Sequence, residues 1–319
     1  MSALKRPRRG SLQFYPRKRV SKFLPSVNWS TMTQLNPQLE GILGLIGYKV
    51  GMATAIVKDS TDKSMTAGKK ISVPVTLLEI PPMKVFSIRF YKENKPIKEI
   101  IVSHDKELKR KLKVPKKIGS LDNIPTEYDD IRIIVYSMPK ETSVKKTPDI
   151  IELAIKAKDK LEFVKSIMHK ELSLTDFLKV NLVDVRGLTK GKGLVGPLKR
   201  FGLGLKQHKS EKGRRRPGSL GPWHPAHVTF RVPMAGQMGL FTRVHYNQLI
   251  LNSGKIKEKD INNKSGFKYY GKIKTSYLMI VGSIQGPPKR QILITPAFRP
   301  TRYQAKKKYE FLELVTKTP

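Results

Sequence analysis

Residues Phe177–Arg200 read FLKVNLVDVRGLTKGKGLVGPLKR, and this stretch changes from a strand-like sequence to a glycine-rich, loop-like one. Its first part contains the short Val/Leu-rich run Val180–Val185, which is typical of a β-strand. Its second part, Gly187–Gly196, combines glycines with lysines and has no apolar periodicity. Glycines let backbone N–H groups approach an anion closely. The stretch therefore predicts a strand that leads into a phosphate-binding loop.

The glycine spacing excludes one familiar phosphate loop. A nucleotide P-loop has four residues between its first glycine and Gly-Lys, and Ser or Thr follows. Here three residues separate Gly187 from Gly191, and Gly193 follows Lys192. The loop therefore favours RNA phosphates over a nucleoside triphosphate. The expected phosphate contacts are Lys190, Lys192, Lys199 and Arg200.

The loop continues into a long basic segment, residues 187–242, which contains eleven glycines and five prolines. A loop of this length without its own core is uncommon inside a compact domain and is usually functional or disordered. Between Arg186 and Arg243 there are thirteen Lys and Arg residues but a single acid, Glu211. These features predict a finger that is threaded into folded RNA.

The charge of the whole chain supports a polyanionic partner. The 319 residues carry a net charge of +38, and residues 1–39 contain eight Lys or Arg and no acid. By contrast, 16 of the 25 acids lie between Glu93 and Asp184. Phosphate neutralisation drives the binding of such basic proteins to nucleic acid. An anionic membrane is the other polyanion to consider, but no apolar run approaches the roughly 20 residues that span a bilayer.

Two motifs in the finger allow several interpretations. The segment Trp223-His224-Pro225-Ala226-His227 could be a metal site, a small core around Trp223, or a platform on which unpaired bases stack. Cysteine is absent and Gly, Pro and Arg flank the segment, so stacking is favoured over the other two. Arg214–Arg216 could be a localisation signal or a surface patch, but forked guanidinium groups inside such a loop favour contact with RNA backbone.

The rest of the chain predicts a mainly β protein. Residues 5–35 predict an extended arm that is ordered on a partner, and 149–169 predict an amphipathic helix capped by Asp149. A second short helix is expected over Asp105–Leu112. The predicted strands are Gly41–Tyr48, Met52–Val57, Ile71–Ile80, Ile97–Val102, Ile131–Ser137, Val180–Val185, His245–Leu251, Tyr277–Val281 and Gln291–Thr295.

The sequence shows no catalytic constellation, so we expect that the chain is not an enzyme. An architectural DNA-binding or chromatin protein is the first alternative, and an RNA-processing enzyme is the second. The architectural alternative would predict minor-groove wedges or a dimerising helix, and neither is evident. No cofactor, metal site or small-molecule substrate is expected.

The stretch Phe177–Arg200 resembles the signature of ribosomal protein three of the large subunit. That signature has an aromatic residue or Leu, six residues, Asp, and then a spaced series of Gly, Ser or Thr, and basic residues ending in Arg. Three further segments, in order, resemble the archaeal and eukaryotic branch of the family. They are Arg9–Arg19, Gly221–His227 with Ala235–Gly239, and Gly282–Arg290.

The resemblance implies a translation-factor-like six-stranded β-barrel, an inserted α/β part, an extended N-terminal arm and a long internal basic finger. The implied arm is 1–39, the barrel 40–85, 179–186 and 243–319, the insertion 86–178 and the finger 187–242. The resemblance also implies binding to large-subunit ribosomal RNA among neighbouring ribosomal proteins, in the cytoplasm. The finger would reach toward the peptidyl-transferase centre with Trp223 at its tip.

The candidate RNA-binding residues come from the arm, the finger and the residue that follows the finger. They are Arg8, Arg9, Arg17, Lys18, Arg19, Lys190, Lys192, Lys199, Arg200, Lys206, His208, Lys209, Lys212, Arg214, Arg215, Arg216, Trp223, His224, His227, Arg231 and Arg243.

Overall fold

The structure is a computed structural model that describes residues 11, 13–35, 40–116, 118–119, 124–177, 180–209 and 213–315. The chain divides into two compact units. We call residues 1–22 and 188–242 the basic unit, and residues 23–187 and 243–319 the body. Three of the candidate RNA-binding residues, Arg8, Arg9 and Lys212, lie outside the described residues.

The described residues form mostly strands with a few short helices. The strands are β1 (Gly41–Ile42), β2 (Leu45–Asp59), β3 (Lys70–Ile80), β4 (Met83–Lys92), β5 (Lys95–Ile101), β6 (Asp130–Ser137), β7 (Ile150–Lys156), β8 (Leu182–Leu188), β9 (Leu194–Val195), β10 (Gly236–Gln237), β11 (Thr242–Lys255), β12 (Ser276–Val281), β13 (Gln291–Pro296) and β14 (Tyr309–Val315). The α-helices are α1 (Trp29–Leu35), α2 (Lys160–Ile167), α3 (Pro197–Phe201) and α4 (Arg302–Ala305). Single 3₁₀ turns cover Leu108–Arg110, Pro139–Glu141 and Leu174–Asp176. The prediction of a mainly β protein is confirmed.

The larger sheet has the strand order β13-β8-β11-β12-β3-β2-β14. Strand β13 also pairs with β2, so among the described residues the pairing returns on itself through six strands. Strand β2 pairs with β3, with a register shift between Lys49 and Gly51, and it also pairs with two further strands. Its first part pairs with β13 and its second with β14. Four consecutive residues of β12, Tyr277–Ile280, are buried, as expected for a strand covered on both faces.

The second sheet of the body has the order β1-β7-β6-β4-β5. A buried polar group joins it to β2. The Tyr48 hydroxyl donates to Asp149 Oδ2 at 2.7 Å and lies 2.8 Å from Ser137 Oγ. Burial, and then the negative charge of Asp149, raise the pKa of Tyr48, so its hydroxyl keeps its proton. These bonds satisfy polar atoms that would otherwise destabilise the core.

The predicted helix over 149–169 is wrong in its first half. Residues Ile150–Lys156 form β7, and the helix α2 begins only at Lys160. Its cap is Asp159, whose carboxylate accepts the N–H groups of Leu161 and Glu162. The expected cap, Asp149, is instead buried beside Tyr48. Leu153, Ala154 and Ile155 are buried in succession, so this strand lacks the alternation that would have distinguished it from a helix.

Two other expectations about helices change. Over the predicted helix Asp105–Leu112, the structure has a single 3₁₀ turn at Leu108–Arg110. Within the predicted extended arm, Trp29–Leu35 forms α1, and its Trp29 and Met32 are buried in the core of the body. Extended backbone is therefore not found over these residues. Burial of the apolar side chains of Trp29 and Met32 favours the folded helix, and an argument from charge alone does not take this burial into account.

Asp59 closes the turn that leads from β2 toward β3. Hydrogen bonds from Thr61, Thr66 and Ser64 lower the pKa of Asp59 below its ordinary range. The Thr61 N–H lies 2.9 Å from Asp59 Oδ1, and the Ser64 hydroxyl lies 2.7 Å from Oδ2. The ionised carboxylate therefore stabilises the turn.

Candidate nucleic-acid interface

The basic unit concentrates positive charge. Its 77 residues contain nineteen Lys and Arg and one acid, Glu211, which lies outside the described residues. The net charge of this unit is thus +18, out of +38 for the whole chain. In the body, by contrast, acids pair with neighbouring bases, as Glu152 does with Arg89 and Arg132, each at 3.2 Å. The described part of the basic unit contains no carboxylate side chain, so its positive charge is not balanced within those residues.

A narrow antiparallel ladder joins the two ends of residues 187–242, the segment predicted to be a finger and here called the finger segment. The Thr189 N–H donates to the Phe241 carbonyl at 3.0 Å, and the Phe241 N–H donates to Thr189 Oγ1 at 3.2 Å. Next, the Lys192 N–H donates to the Met238 carbonyl at 2.9 Å, and β9 then pairs with β10. The glycine-rich stretch predicted to cradle phosphate therefore has a fixed backbone, with the Lys190 and Lys192 side chains exposed.

Gly239 allows the two sides of this ladder to approach. Its φ is +76°, and a Cβ at this position would lie 1.9 Å from the carbonyl oxygen of Lys190. A side chain at Gly239 would therefore both occupy the left-handed region and collide with main-chain atoms that cannot rotate away. The ladder depends on glycine at this position.

Arg200, at the end of α3, joins three separate segments. Its Nε donates to the Gln237 carbonyl, Nη1 to the Met234 carbonyl and Nη2 to the Arg17 carbonyl, each at 3.0 Å. Burial, and then the charge of Arg17, lower the pKa of Arg200. The planar guanidinium suits this arrangement because it directs donors along several fixed directions. Arg200 was predicted to bind phosphate, and here its donors hold the basic unit together.

Arg17 in turn donates to Arg200 and so connects the arm to the finger segment. Its Nη1 donates to the Arg200 carbonyl at 3.1 Å, and its guanidinium carbon lies 4.3 Å from the centroid of the Phe201 ring. Phe201 is buried and also lies 5.2 Å from the Arg200 guanidinium. Farther along, the Val20 N–H donates to the Leu240 carbonyl at 3.2 Å. The described end of the arm is therefore packed within the basic unit rather than free.

The triple-arginine motif begins at a second position where two parts of the segment are joined by hydrogen bonds. The Lys206 N–H donates to the Arg214 carbonyl, and Arg214 Nε donates back to the Lys206 carbonyl, both at 3.1 Å. Arg214, Arg215 and Arg216 are all exposed. Of the Arg214 donors, Nε is used in this closure, while its terminal nitrogens extend from an exposed side chain.

Trp223 extends into solvent. Its side chain is 86% exposed, which excludes the interpretation that it belongs to a small core. The ring meets that of His224 edge to face, with centroids 6.5 Å apart. A backbone bond from Thr229 to Leu220, at 3.3 Å, brings the two sides of the surrounding turn together. An indole displayed in this way offers its flat faces to a partner.

The candidate RNA-binding residues that the structure describes fall into two groups by exposure. The exposed ones are Lys18, Arg19, Lys190, Lys192, Lys199, His208, Lys209, Arg214, Arg215, Arg216, Trp223, His224, His227 and Arg231. Arg17, Arg200, Lys206 and Arg243 are half-buried, and Arg243 lies in the body, where its carbonyl accepts the Gln285 side chain.

Sequence reasoning missed Phe230 and Tyr15, two aromatic residues of this unit. Phe230 is 73% exposed, and its ring centroid lies 5.6 Å from that of Tyr15. Both residues occur next to or near an arginine in the two basic segments, which is the signal that could have identified them. Phe230 thus adds a second aromatic surface to the one that Trp223 provides.

The signature carboxylate, Asp184, is part of the body rather than the interface. It is buried, and it accepts the Asn247 N–H and the Phe298 N–H, both at 2.9 Å. Burial raises the pKa of Asp184, and these two N–H groups oppose that effect. Asn247 has a φ of +54°, so the carboxylate holds an unusual backbone turn in place. Asp184 therefore organises the strands from which the finger segment departs.

Two features are absent from the part of the chain that the structure describes. There, no three His, Asp or Glu side chains are grouped so as to hold a metal ion. Within the same residues, every helix is too short or too polar to cross a bilayer.

Comparison with known proteins gives a consistent result over nearly the whole chain. Residues 1–317 match the family described as ribosomal protein L3. Large ribosomal subunit protein uL3 of Methanocaldococcus jannaschii is 39% identical over 316 residues, covering 93% of this chain and 92% of its own. The uL3 protein of Methanosphaera stadtmanae is 40% identical over 313 residues, or 92% of each chain. That of Thermoplasma acidophilum is 39% identical over 329 residues, or 97% of each chain.

These relatives confirm the resemblance that the signature indicated. The matched proteins are named as proteins of the large ribosomal subunit. The expectation of a protein of the large ribosomal subunit is therefore confirmed. On the extent of the family match and the identity to these relatives, the chain belongs to the ribosomal protein L3 family.

Proposed function

We propose that the basic unit binds large-subunit ribosomal RNA and stabilises its fold, alongside neighbouring ribosomal proteins. The observation that carries this proposal is the charge of the unit, nineteen Lys and Arg against one acid, on a backbone ordered by the β9–β10 ladder. An ordered array of cations loses less conformational freedom on binding phosphates than a disordered tail does. Counterion release from the RNA then favours the complex.

The basic residues divide into two roles. Arg17 and Arg200 hold the arm against the finger segment through main-chain carbonyls. The exposed side chains, from Lys18 and Arg19 in the arm to Arg214–Arg216 in the finger, contact the RNA backbone. Guanidinium groups favour this use because they can donate two parallel bonds to one phosphate.

Trp223 provides the contact to a base. Its exposed ring stacks on an unpaired nucleotide, with His224 and His227 beside it, as aromatic side chains do in recognition of RNA loops. Family membership supports a finger that reaches toward the peptidyl-transferase centre with Trp223 at its tip. The protein itself carries out no chemistry there.

The strand pairings suggest how this interface is supported. We assign the six strands whose pairing closes through β13 and β2 to the translation-factor-like barrel, formed by 40–85, 179–186 and 243–319. Apart from β1 and the first residues of β4, the second sheet corresponds together with α2 to the inserted part at 86–178, and the finger corresponds to 187–242. In this assignment the finger is an insertion between two adjacent barrel strands, β8 and β11.

The proposal is tested by the salt dependence of binding between the full chain and transcribed large-subunit ribosomal RNA. Replacing Arg214, Arg215 and Arg216 together with Ala removes three exposed charges. Each phosphate contact contributes about 0.7 to 0.9 to the slope of log affinity against log salt. We therefore expect the slope to decrease in magnitude by about 2 to 3.

The matched control removes three exposed lysines of the body, Lys95, Lys98 and Lys113. We expect this control to leave the slope nearly unchanged. Equal slopes for wild type and the arginine variant would contradict RNA binding by the finger. In cells, Trp223→Ala should leave the chain folded but impair subunit maturation or peptidyl transfer, and normal subunit profiles with normal translation would remove the role of Trp223.

A further inference from the structure

The body carries a second basic loop, which lies between β11 and β12. Residues 256–275, here called the lysine loop, contain six lysines against two acids, Glu258 and Asp260. All six lysines are exposed: Lys257, Lys259, Lys264, Lys268, Lys272 and Lys274. The loop belongs to the body and not to the basic unit.

A buried carboxylate anchors the loop to the body. Glu79 in β3 accepts the Lys274 N–H at 2.7 Å and the Thr275 N–H at 3.0 Å. It also accepts the Thr275 hydroxyl at 3.1 Å and the hydroxyl of Tyr270. Glu79 and Tyr270 are both buried. Four donors on one buried carboxylate fix the loop firmly.

Further hydrogen bonds order the turn itself. Asn262 Oδ1 accepts the Ile273 N–H at 2.7 Å, and Asn262 Nδ2 donates to the Ile273 carbonyl at 2.9 Å. The Phe267 N–H donates to the Gly271 carbonyl at 2.9 Å, and the Gly271 N–H donates back at 3.0 Å. Between these two residues the chain forms a tight, closed turn.

This rigid turn displays an aromatic ring on its outside. Tyr269 is 75% exposed, whereas its neighbour Tyr270 is 3% exposed and bound to Glu79. The φ of Tyr269 is +63°, a conformation that aromatic residues rarely adopt and that glycine would tolerate without strain. The Lys268 ammonium lies 5.3 Å from the ring centroid. A strained aromatic residue that buries almost nothing does not stabilise the body, and such strain is characteristic of functional positions.

We propose that the lysine loop is a second RNA contact of the protein, in which Tyr269 stacks on an unpaired base and exposed lysines of the loop neutralise phosphates. This inference rests on the proposed binding to ribosomal RNA and adds a site on the body to it. Lysine is depleted from protein–protein interfaces, so a loop with six exposed lysines fits RNA better than a protein partner. Rigidity favours binding because little freedom remains to be lost.

The test compares Tyr269→Gly with Tyr269→Phe in the full chain, using transcribed large-subunit ribosomal RNA as the probe. Glycine removes the ring and relieves the strained φ, so the thermal stability of the chain should be unchanged or higher. RNA affinity should nevertheless decrease by roughly 5- to 150-fold, the value of one aromatic stack. Phenylalanine keeps the stacking surface and should bind within about twofold of wild type. Wild-type affinity in the glycine variant would overturn the proposal.

A photo-crosslinking amino acid at position 269, in assembled large subunits, identifies the neighbour directly. Attachment to ribosomal RNA is expected, while attachment to another protein, or to nothing, would overturn the proposal. The triple variant of Arg214–Arg216 is measured in parallel. If that variant weakens binding and Tyr269→Gly does not, the lysine loop is excluded and the finger proposal stands. The reverse result supports the lysine loop and contradicts the finger.

Discussion

Replacing Arg200 with Lys should open the basic unit without unfolding the body. Arg200 places one donor on each of three carbonyls, those of Gln237, Met234 and Arg17. An ammonium group is a compact point charge and cannot reach three carbonyls that lie in different directions around the guanidinium plane. The change therefore removes the connection while keeping the charge.

The magnitude follows from the bonds lost. A hydrogen bond to a charged group contributes about 1.5 to 3 kcal/mol, and we take about 1 kcal/mol for each bond here because Arg200 is partly exposed to solvent. Losing two of three bonds costs about 2 kcal/mol. Losing the contact with the Phe201 ring adds about 0.5 to 1 kcal/mol. The basic unit should thus be destabilised by about 2 to 3 kcal/mol.

Amide hydrogen exchange measures this opening residue by residue. The N–H groups of Val20 and Met238 donate within the basic unit, at 3.2 and 2.9 Å. Their exchange should accelerate by roughly 30- to 150-fold in Arg200→Lys, or lose all protection if the unit is less stable than that. Amides of β12 in the body should not change. Lys199→Ala, which removes an exposed charge from the same helix, is the control and should leave both amides protected. Unchanged exchange at Val20 and Met238 in Arg200→Lys would refute this account of the basic unit.

Three further changes follow from the packing. Gly239→Ala should destabilise the basic unit by about 2 kcal/mol or more, because its Cβ meets the Lys190 carbonyl; exchange of the ladder amides measures this. Tyr48→Phe should lower the free energy of unfolding of the body by about 1 to 3 kcal/mol in urea titrations, since Asp149 loses a buried donor. The lowered pKa of Asp59 means that its contribution to stability is present above its unfolded pKa of about 4 and is lost as pH decreases through the folded pKa. Asp59→Asn should therefore be less stable than wild type at pH 7, with a difference that shrinks below pH 4; a constant difference down to pH 2 would contradict the pKa argument.

Strand positions in the body could be predicted from sequence where one rule was sufficient. Short Val/Ile-rich runs bounded by turn residues gave Ile71–Ile80, Ile131–Ser137 and Tyr277–Val281, which lie in β3, β6 and β12. The rule failed over 149–169, where three consecutive buried residues erase the difference between periods of 2 and 3.6. Strand β14 also lies outside the predicted strands, because Glu310 and Glu313 interrupt its apolar pattern.

The location of the positive charge in the candidate site could be predicted from sequence. Which cations are exposed and which bind main-chain carbonyls could not. Counting acids located the basic segments, since the sequence alone records where carboxylates are missing. Whether an arginine faces RNA or a main-chain carbonyl depends on contacts between residues far apart in the chain, as for Arg17 and Arg200, and periodicity carries no such information. The same limit hid Tyr269, whose importance rests on its φ and exposure and not on a motif.

The bond between Arg17 and Arg200 spans 183 residues, and this separation has a consequence for synthesis. At roughly 5 to 20 residues per second, Arg17 is synthesised about 10 to 40 seconds before Arg200. During that interval a strongly cationic N-terminus has no part of its own chain to dock against. A nascent chain of this kind would attract any RNA nearby, so a temporary anionic escort, or immediate delivery to new ribosomal RNA, would protect it from wrong partners.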